Sequence, residues 1–316
     1  MQTQTVYLNG SFMPLEEARI PVLDRGFIFG DGVYEVIPVY SGRPFRMEQH
    51  LRRLQNSLDA IRIANPMTLA RWSNLARRVI RLNPWKDQSI YLQVTRGVAR
   101  RDHAFPRKST PTVFMMSNPL TPPARKLVTA GVACITATDN RWLRCDIKST
   151  SLLGNVLMRQ RSAERGCIET IMFRDGFLSE ASASNVFVVH GKVISAPPNN
   201  HLVLPGTTND VVMELAGKAR VPLKLREISE DEVRNADEIW VTSATKEVLP
   251  VTRLDGKAVG INIARAGRVE SYAIPAATVK SVLADLMSGK LSPTPGLEKI
   301  ADKPAVPTAE PEKKVQ

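Results

Sequence analysis

Lys148 lies in the stretch Arg141-Trp142-Leu143-Arg144-Cys145-Asp146-Ile147-Lys148-Ser149, and Glu180 follows in Arg174-Asp175-Gly176-Phe177-Leu178-Ser179-Glu180. A lysine amine that can lose its proton attacks an aldehyde and forms a Schiff base. A carboxylate can hold a ring nitrogen protonated and so make an aromatic ring an electron sink. Alone, each residue is ordinary. Most lysines are solvated surface charges, and a Glu beyond an Asp-Gly turn is most often the polar face of a hairpin strand. Two further words give the pair its meaning. Leu204-Pro205-Gly206-Thr207-Thr208 precedes a segment of helical spacing, and the N–H groups of a helix N-terminus bind anions, with hydroxyls as added donors. Arg101-Asp102-His103 offers a planar guanidinium fork of the kind that takes a carboxylate through two charge-assisted hydrogen bonds.

With Phe29-Gly30-Asp31-Gly32-Val33-Tyr34-Glu35-Val36 and Gln93-Val94-Thr95-Arg96-Gly97, these words stand in an order and rough spacing that resemble the fold-type IV pyridoxal phosphate enzymes, and among them the D-amino acid aminotransferases. The resemblance covers roughly residues 3–280. It implies an α/β fold of the α+β type, with a smaller N-terminal α/β domain and a larger, β-barrel-like C-terminal domain carrying helices. It implies pyridoxal 5′-phosphate as cofactor, with Lys148 as the Schiff-base lysine and proton shuttle and Glu180 as partner of the pyridine nitrogen. Arg53, Thr207, Thr208 and Ser243 then match the phosphate-binding residues. Ala244 departs from the family pattern, which often has Thr there, so only a backbone contact is possible at that position. Tyr34, Arg101 and His103 match the pocket for the substrate carboxylate, which in this subfamily is completed across a homodimer interface. The implied reaction passes the amino group of a D-amino acid such as D-alanine to 2-oxoglutarate, giving a 2-oxo acid and D-glutamate. Branched-chain L-amino acid aminotransferases, (R)-amine transaminases and aminodeoxychorismate lyases share the fold and are the alternatives; the Arg101-Asp102-His103 word argues against the first and the last.

Composition excludes several other classes. At 316 residues, 43% hydrophobic and 23% charged, the chain suits a globular protein of two domains. No apolar run reaches membrane-spanning length, and the N-terminus has no basic-then-apolar leader, so a cytoplasmic location is expected. Cys134, Cys145 and Cys167 are odd in number and far apart, which points to reduced thiols rather than to zinc or a disulfide framework. The net charge of +12 suits acidic partners. Its basic clusters, Arg43 to Arg53, Arg71 to Arg81, Arg96 to Arg101 and Arg141 to Arg144, hold few aromatics and match no nucleic-acid-binding module.

Periodicity supplies the elements that must position these residues. Thr3 to Leu8 alternates as a strand and turns at Asn9-Gly10, and Val33 to Tyr40 is a second strand. Met47 to Ile63 and Leu69 to Leu82 read as amphipathic helices, and Ile90 to Thr95 and Thr112 to Ser117 as strands. Three prolines within Asn118-Pro119-Leu120-Thr121-Pro122-Pro123 mark a linker. The expected organisation is therefore an N-terminal domain over 1–117, a linker over 118–125, a cofactor-binding domain over 126–290 and a disordered tail over 291–316. In the second domain, strands are expected over Val132 to Thr138 and Glu238 to Thr242. Hairpins are expected around Asp175-Gly176 and His190-Gly191. Helices are expected over Leu152 to Arg165, Thr208 to Ala219 and Ala276 to Ser288, with a capping box at Ser229-Glu230-Asp231-Glu232.

Overall fold

The computed structural model describes residues 4–260. The helix expected over 276–288 and the tail expected from 291 lie outside the described residues.

Two sheets carry the architecture. Strands β1 (Thr5–Leu8) and β2 (Ser11–Pro14) form the expected hairpin, with positive φ at both Asn9 and Gly10. Helix α1 (Arg25–Phe29), β3 (Gly32–Tyr40), β4 (Arg43–Pro44), helices α2 (Met47–Ala60) and α3 (Leu69–Leu82), and strands β5 (Gln88–Thr95) and β6 (Thr112–Pro119) follow. The first sheet runs β2-β1-β6-β5-β3-β4. Leu51, Leu54 and Leu58 of α2 and Trp72 and Val79 of α3 lie in one core with Val33, Ile37, Ile90 and Leu92 of the sheet. Helix α3 has the bounds its spacing predicts. It begins where the Thr68 side chain accepts the Arg71 N–H.

Helix α4 (Arg125–Ala130) and strand β7 (Val132–Thr138) open the second half. After them come α5 (Leu153–Ala163), β8 (Glu169–Arg174), β9 (Phe177–Ala181), β10 (Asn185–His190), β11 (Val193–Ala196), α6 (Thr207–Lys218), β12 (Leu223–Leu225), α7 (Glu230–Arg234), β13 (Glu238–Ser243), β14 (Glu247–Leu254) and β15 (Lys257–Ala258). The capping box at Ser229 and Glu232 is present in both directions. The second sheet follows the path β12-β11-β10-β13-β14-β7-β8-β9, with β15 on β14. Its curvature follows from chain geometry. Laid flat, β10 and β9 would be about 24 Å apart, at ~4.8 Å per strand. Only Ser182, Ala183 and Ser184 join them, and this link reaches at most about 15 Å. The sheet therefore curls back on itself, and the Ala181 N–H donates to the Ser184 carbonyl across the tight link at 2.8 Å.

Helices α1 and α4 and strand β14 are not expected from spacing. Helix α1 is too short to show a period, and Pro250 interrupts the apolar run of β14. β6 extends through Pro119 and α4 starts at Arg125, so regular structure encroaches on both ends of the expected linker. Among the described residues no helix is long and apolar enough to cross a membrane.

Candidate active site

A cavity of about 430 Å³ lies where the two sheets meet, and Lys148 is the one lysine among its described lining residues. Its position is set by main-chain pairing with β3. The Tyr34 N–H donates to the Lys148 carbonyl at 2.9 Å, the Thr150 N–H to the Gly32 carbonyl at 3.0 Å, and Ser149 bridges to Val33. On the other side the Lys148 N–H donates to Ser57 Oγ of α2 at 3.2 Å, while Ile147 is buried in the first core. With its backbone held from both sides, the half-buried side chain places Nζ 4.3 Å from the centroid of the Tyr34 ring. Tyr34 in turn stacks on Tyr91 at 5.7 Å.

One end of the cavity is built for an anion. Helix α6 begins at Thr207, and no side chain caps its first amides. A side chain on Gly206 would meet Asn185 Oδ1 at 2.0 Å, so glycine is needed for this approach. Thr208, Ser243 and Ala244 line the same cavity. Arg53 reaches it from α2, held by a bidentate pair to Glu35 (2.7 and 2.9 Å) and donating to the Pro205 carbonyl at 2.7 Å. A guanidinium has five N–H groups, so Arg53 keeps donors on its terminal nitrogens. Glu35 is fully buried. Burial opposes its ionisation, but Arg53 and His50 outweigh this and hold its pKa at about 2. Burial, opposed by Glu35, keeps the His50 pKa below its ordinary value, so the ring is neutral. A carboxylate can only accept, so His50 Nδ1–H donates to Glu35 (2.8 Å), and bare Nε2 accepts the Thr207 hydroxyl proton (3.2 Å). His50 is thus an orienting residue. The Thr207 hydroxyl, expected as an anion donor, has its proton engaged there, which leaves Thr207 its amide.

The far end of the cavity carries the opposite charge. Arg141 Nη1 donates to Glu180 Oε1 at 2.6 Å, and the Leu204 N–H donates to Oε2 at 3.1 Å. The other edge of Arg141 grips Asp139 through Nε (2.9 Å) and Nη2 (2.8 Å), and Ser179 Oγ donates to Asp139 at 2.8 Å. All three charged groups are buried. Burial raises the Glu180 pKa above its ordinary value, with Arg141 and the Leu204 amide opposing the rise. Asp139 behaves oppositely: burial is outweighed by Arg141, and its pKa falls to about 2. The sequence alone shows Arg141 only as part of a basic cluster and gives no sign of Asp139. Nor does it mark Glu169, which is fully buried and accepts from the Ser182 and Ser184 hydroxyls and from Lys246, tying down the β9–β10 link that lines the cavity.

Arg101 and His103 are not among the lining residues of this cavity. They sit on the exposed loop between β5 and β6, both close to the Phe29 ring. The Phe29 centroid is 5.4 Å from the Arg101 guanidinium carbon and 5.4 Å from the His103 ring. Val98 and Phe105 of the same loop are about half exposed, beside the exposed charges of Arg100, Asp102, Arg107 and Lys108, and Val22 and Phe27, on the segment that pairs with the loop base, are 73% and 69% exposed.

The depressed carboxylates make the fold sensitive to acid. A carboxylate whose folded pKa is lowered contributes stability that is complete above its unfolded pKa and is lost as pH falls toward the folded value. For Glu35 and Asp139 that window runs from about 4.5 and 3.8, respectively, down to about 2. Urea unfolding at pH 4.5 and 3 should therefore give a clear loss from the first to the second. A midpoint unchanged from pH 4.5 to 3 would refute the assignment.

The donor set fits pyridoxal 5′-phosphate: a cation, helix amides and hydroxyls at one end, a carboxylate at the other and a lysine between. Two of the three buried polar atoms without a partner among the described residues, Thr242 Oγ1 and Asn209 Oδ1, belong to residues at or beside the anion end. Comparison with known proteins agrees. Residues 32–254 match the family model "Amino-transferase class IV". The D-alanine aminotransferase of Bacillus licheniformis is 40% identical over 255 residues, covering 81% of this chain and 90% of that protein. That of Staphylococcus aureus is 37% identical over 257 residues, covering 81% and 91%. The solved branched-chain amino acid aminotransferase of Escherichia coli has the same fold: its TM-score is 0.82 at 22% identity, covering 95% of this chain and 98% of that one. The chain belongs to the class IV aminotransferases, enzymes dependent on pyridoxal 5′-phosphate.

Proposed function

We propose that the protein transfers the amino group of a D-amino acid such as D-alanine to 2-oxoglutarate, working as a homodimer in which each chain completes its partner's substrate pocket. The single observation that carries the D-specific reading is the Arg101-Asp102-His103 word in a chain 40% identical to a D-alanine aminotransferase. The expected cytoplasmic location belongs to this reading.

Arg53, the first amides of α6, the Thr208 hydroxyl, Ser243 and the Ala244 amide would hold the cofactor phosphate. Glu180 would accept the proton-bearing ring nitrogen, with Arg141 keeping its carboxylate ionised. When bound, the cofactor supplies the aldehyde that receives the amino group and the ring that takes up electrons released at the substrate α-carbon. Lys148 Nζ is the base that lifts the proton from that α-carbon, and it returns a proton when the keto acid is aminated. The cavity face on which Lys148 stands sets which hydrogen is removed. Tyr34 lines the substrate side, and Arg101 and His103 clamp the α-carboxylate. Because the Arg101 loop lies outside its own chain's cavity and exposes Val98 and Phe105 beside its charges, a second copy packed on it would receive the clamp in its own pocket.

The first test is spectroscopic. D-Alanine alone should bleach the visible band of the holoenzyme, 2-oxoglutarate should restore it, and L-leucine should do neither; a response to L-leucine only would overturn the D-specific reading. The shared pocket is tested by reassorting Lys148→Ala, which lacks the base, with Arg101→Ala, which binds substrate weakly, and assaying at D-alanine levels well below the wild-type KM. A hybrid dimer then has one intact pocket, and random mixing should recover about a quarter of wild-type activity. No gain beyond the residual activity of the two parents would place Arg101 in its own chain's site, and an Arg101→Ala parent as active as wild type would place it outside the site.

A further inference from the structure

The loop bearing Arg101 and His103 is exposed, yet a carboxylate clamp must hold its geometry closely to contribute to binding. What fixes it lies beneath. Arg25, 3% exposed, donates Nε to Asp31 at 2.7 Å and Nη1 to the Asp102 carbonyl at 2.6 Å, with a longer contact to the Ala104 carbonyl at 3.4 Å. Those two carbonyls flank His103, and Asp102 directly follows Arg101. Asp31 is also gripped by Arg96 through Nε (2.8 Å) and Nη2 (3.0 Å), and the Arg96 guanidinium lies 3.7 Å from the Phe105 ring centroid. The base of the loop is paired to the segment before α1: the Arg25 N–H donates to the Gly97 carbonyl (2.9 Å), the Ala99 N–H to the Leu23 carbonyl (3.3 Å), and Asp24 bridges to Val98. Phe29, one turn after Arg25 on α1, presents its ring to Arg25, Arg101 and His103 together.

We infer that Arg25 and Phe29 are positioning residues for the carboxylate clamp: Arg25 fixes the loop backbone through the Asp102 and Ala104 carbonyls, and the Phe29 ring packs against both the Arg101 and the His103 side chains. The inference rests on the proposed role of Arg101 and His103. Lysine at position 25 keeps the charge opposite Asp31 but loses the planar fork that reaches both the carboxylate and the loop carbonyls. Leucine at position 29 removes the aromatic platform and leaves the buried ion pairs untouched.

The experiment compares the Arg25→Lys, Phe29→Leu and Arg101→Ala holoenzymes with wild type. It measures KM and kcat for D-alanine and 2-oxoglutarate, inhibition by propionate as a bare carboxylate probe, the cofactor dissociation constant and the thermal midpoint. Arg25→Lys and Phe29→Leu should each raise KM and the propionate inhibition constant about ten- to a hundredfold. The Arg101→Ala variant should show the same effect, and kcat and cofactor affinity should change little. If Arg101→Ala raises these constants while the other two variants do not, the positioning inference fails and the clamp stands. If Arg101→Ala leaves them unchanged, the clamp itself fails and the inference with it. If Arg25→Lys lowers the thermal midpoint and cofactor affinity in step with substrate binding while Phe29→Leu is silent, Arg25 is a structural residue only.

Discussion

Lys148→Ala is expected to fold, to retain cofactor and to lose at least about a thousandfold in kcat. The contacts that place residue 148 are made by its backbone, through the Tyr34 N–H, Ser57 Oγ and the neighbouring pairing of Thr150, and alanine keeps all of them. The side chain itself contributes the amine and its contact with the Tyr34 ring. Cofactor retention follows because the anion end, built on Arg53 and α6, is independent of the lysine. No other lysine among the described lining residues can take over the proton at the α-carbon. Gel filtration of the variant with bound cofactor, a steady-state assay and peptide mass after borohydride reduction check the three parts separately. In wild type, borohydride should fix the cofactor on the peptide containing Lys148. A variant that keeps more than a tenth of wild-type kcat, or a wild-type label on another lysine, would remove Lys148 from its role.

Much of this site was legible because its parts are local words. Thr207 and Thr208 begin a helix whose spacing is visible, Glu180 follows a visible Asp-Gly hairpin, and Lys148 sits in a run of basic and apolar residues just ahead of α5. The structure brings Lys148, Glu180, Arg53, Thr207, Thr208, Ser243 and Tyr34 to one cavity. The supporting charges were not legible. Arg141 matters because it lies between Asp139, two residues away, and Glu180, thirty-nine residues away; Glu35 matters because α2 brings Arg53 and His50 onto it. Such pairings depend on how strands and helices pack and leave no periodic trace. Helix α1 was hidden for a related reason: it is held by Asp24 accepting the Gly26 N–H and by the buried pairs of Arg25, not by an apolar stripe. Arg53, Arg96 and Arg141, each part of a basic cluster in the sequence, are in fact buried in ion pairs, as is Arg25, and with their carboxylates they add nothing to the excess of positive charge.

Arg141→Met should destabilise the protein by about 3–5 kcal/mol at pH 7, the usual result of removing one partner from a buried ion pair. Two buried carboxylates, Asp139 and Glu180, would then face the vacated position, with Arg174 at 3.2 Å the remaining cation on Asp139. The sign of the pH dependence separates this from a packing defect. Asp139, held at about 2 by Arg141, contributes stability above its ordinary pKa of 3.8, and the variant forfeits that contribution. Glu180 is raised by burial even with Arg141 present, and without it the pKa rises further. A carboxylate with a raised folded pKa disfavours the fold above that pKa and is neutral to it once protonated in both states. Both effects penalise the variant most at neutral pH, and the gap from wild type should narrow below about pH 4 as the carboxylates protonate. Adding Asp139→Asn should recover part of the loss, because one uncompensated charge is removed. Activity should respond through Glu180: the acid limb of the kcat profile should move to higher pH, since the carboxylate now ionises later. Urea unfolding of wild type, Arg141→Met and the double variant at pH 7 and 3, with the kcat profile of each, tests the whole chain of argument. An equal stability loss at both pH values, with the acid limb unmoved, would mean that Arg141 fills space between β7 and β9 and does not govern the charge on Glu180.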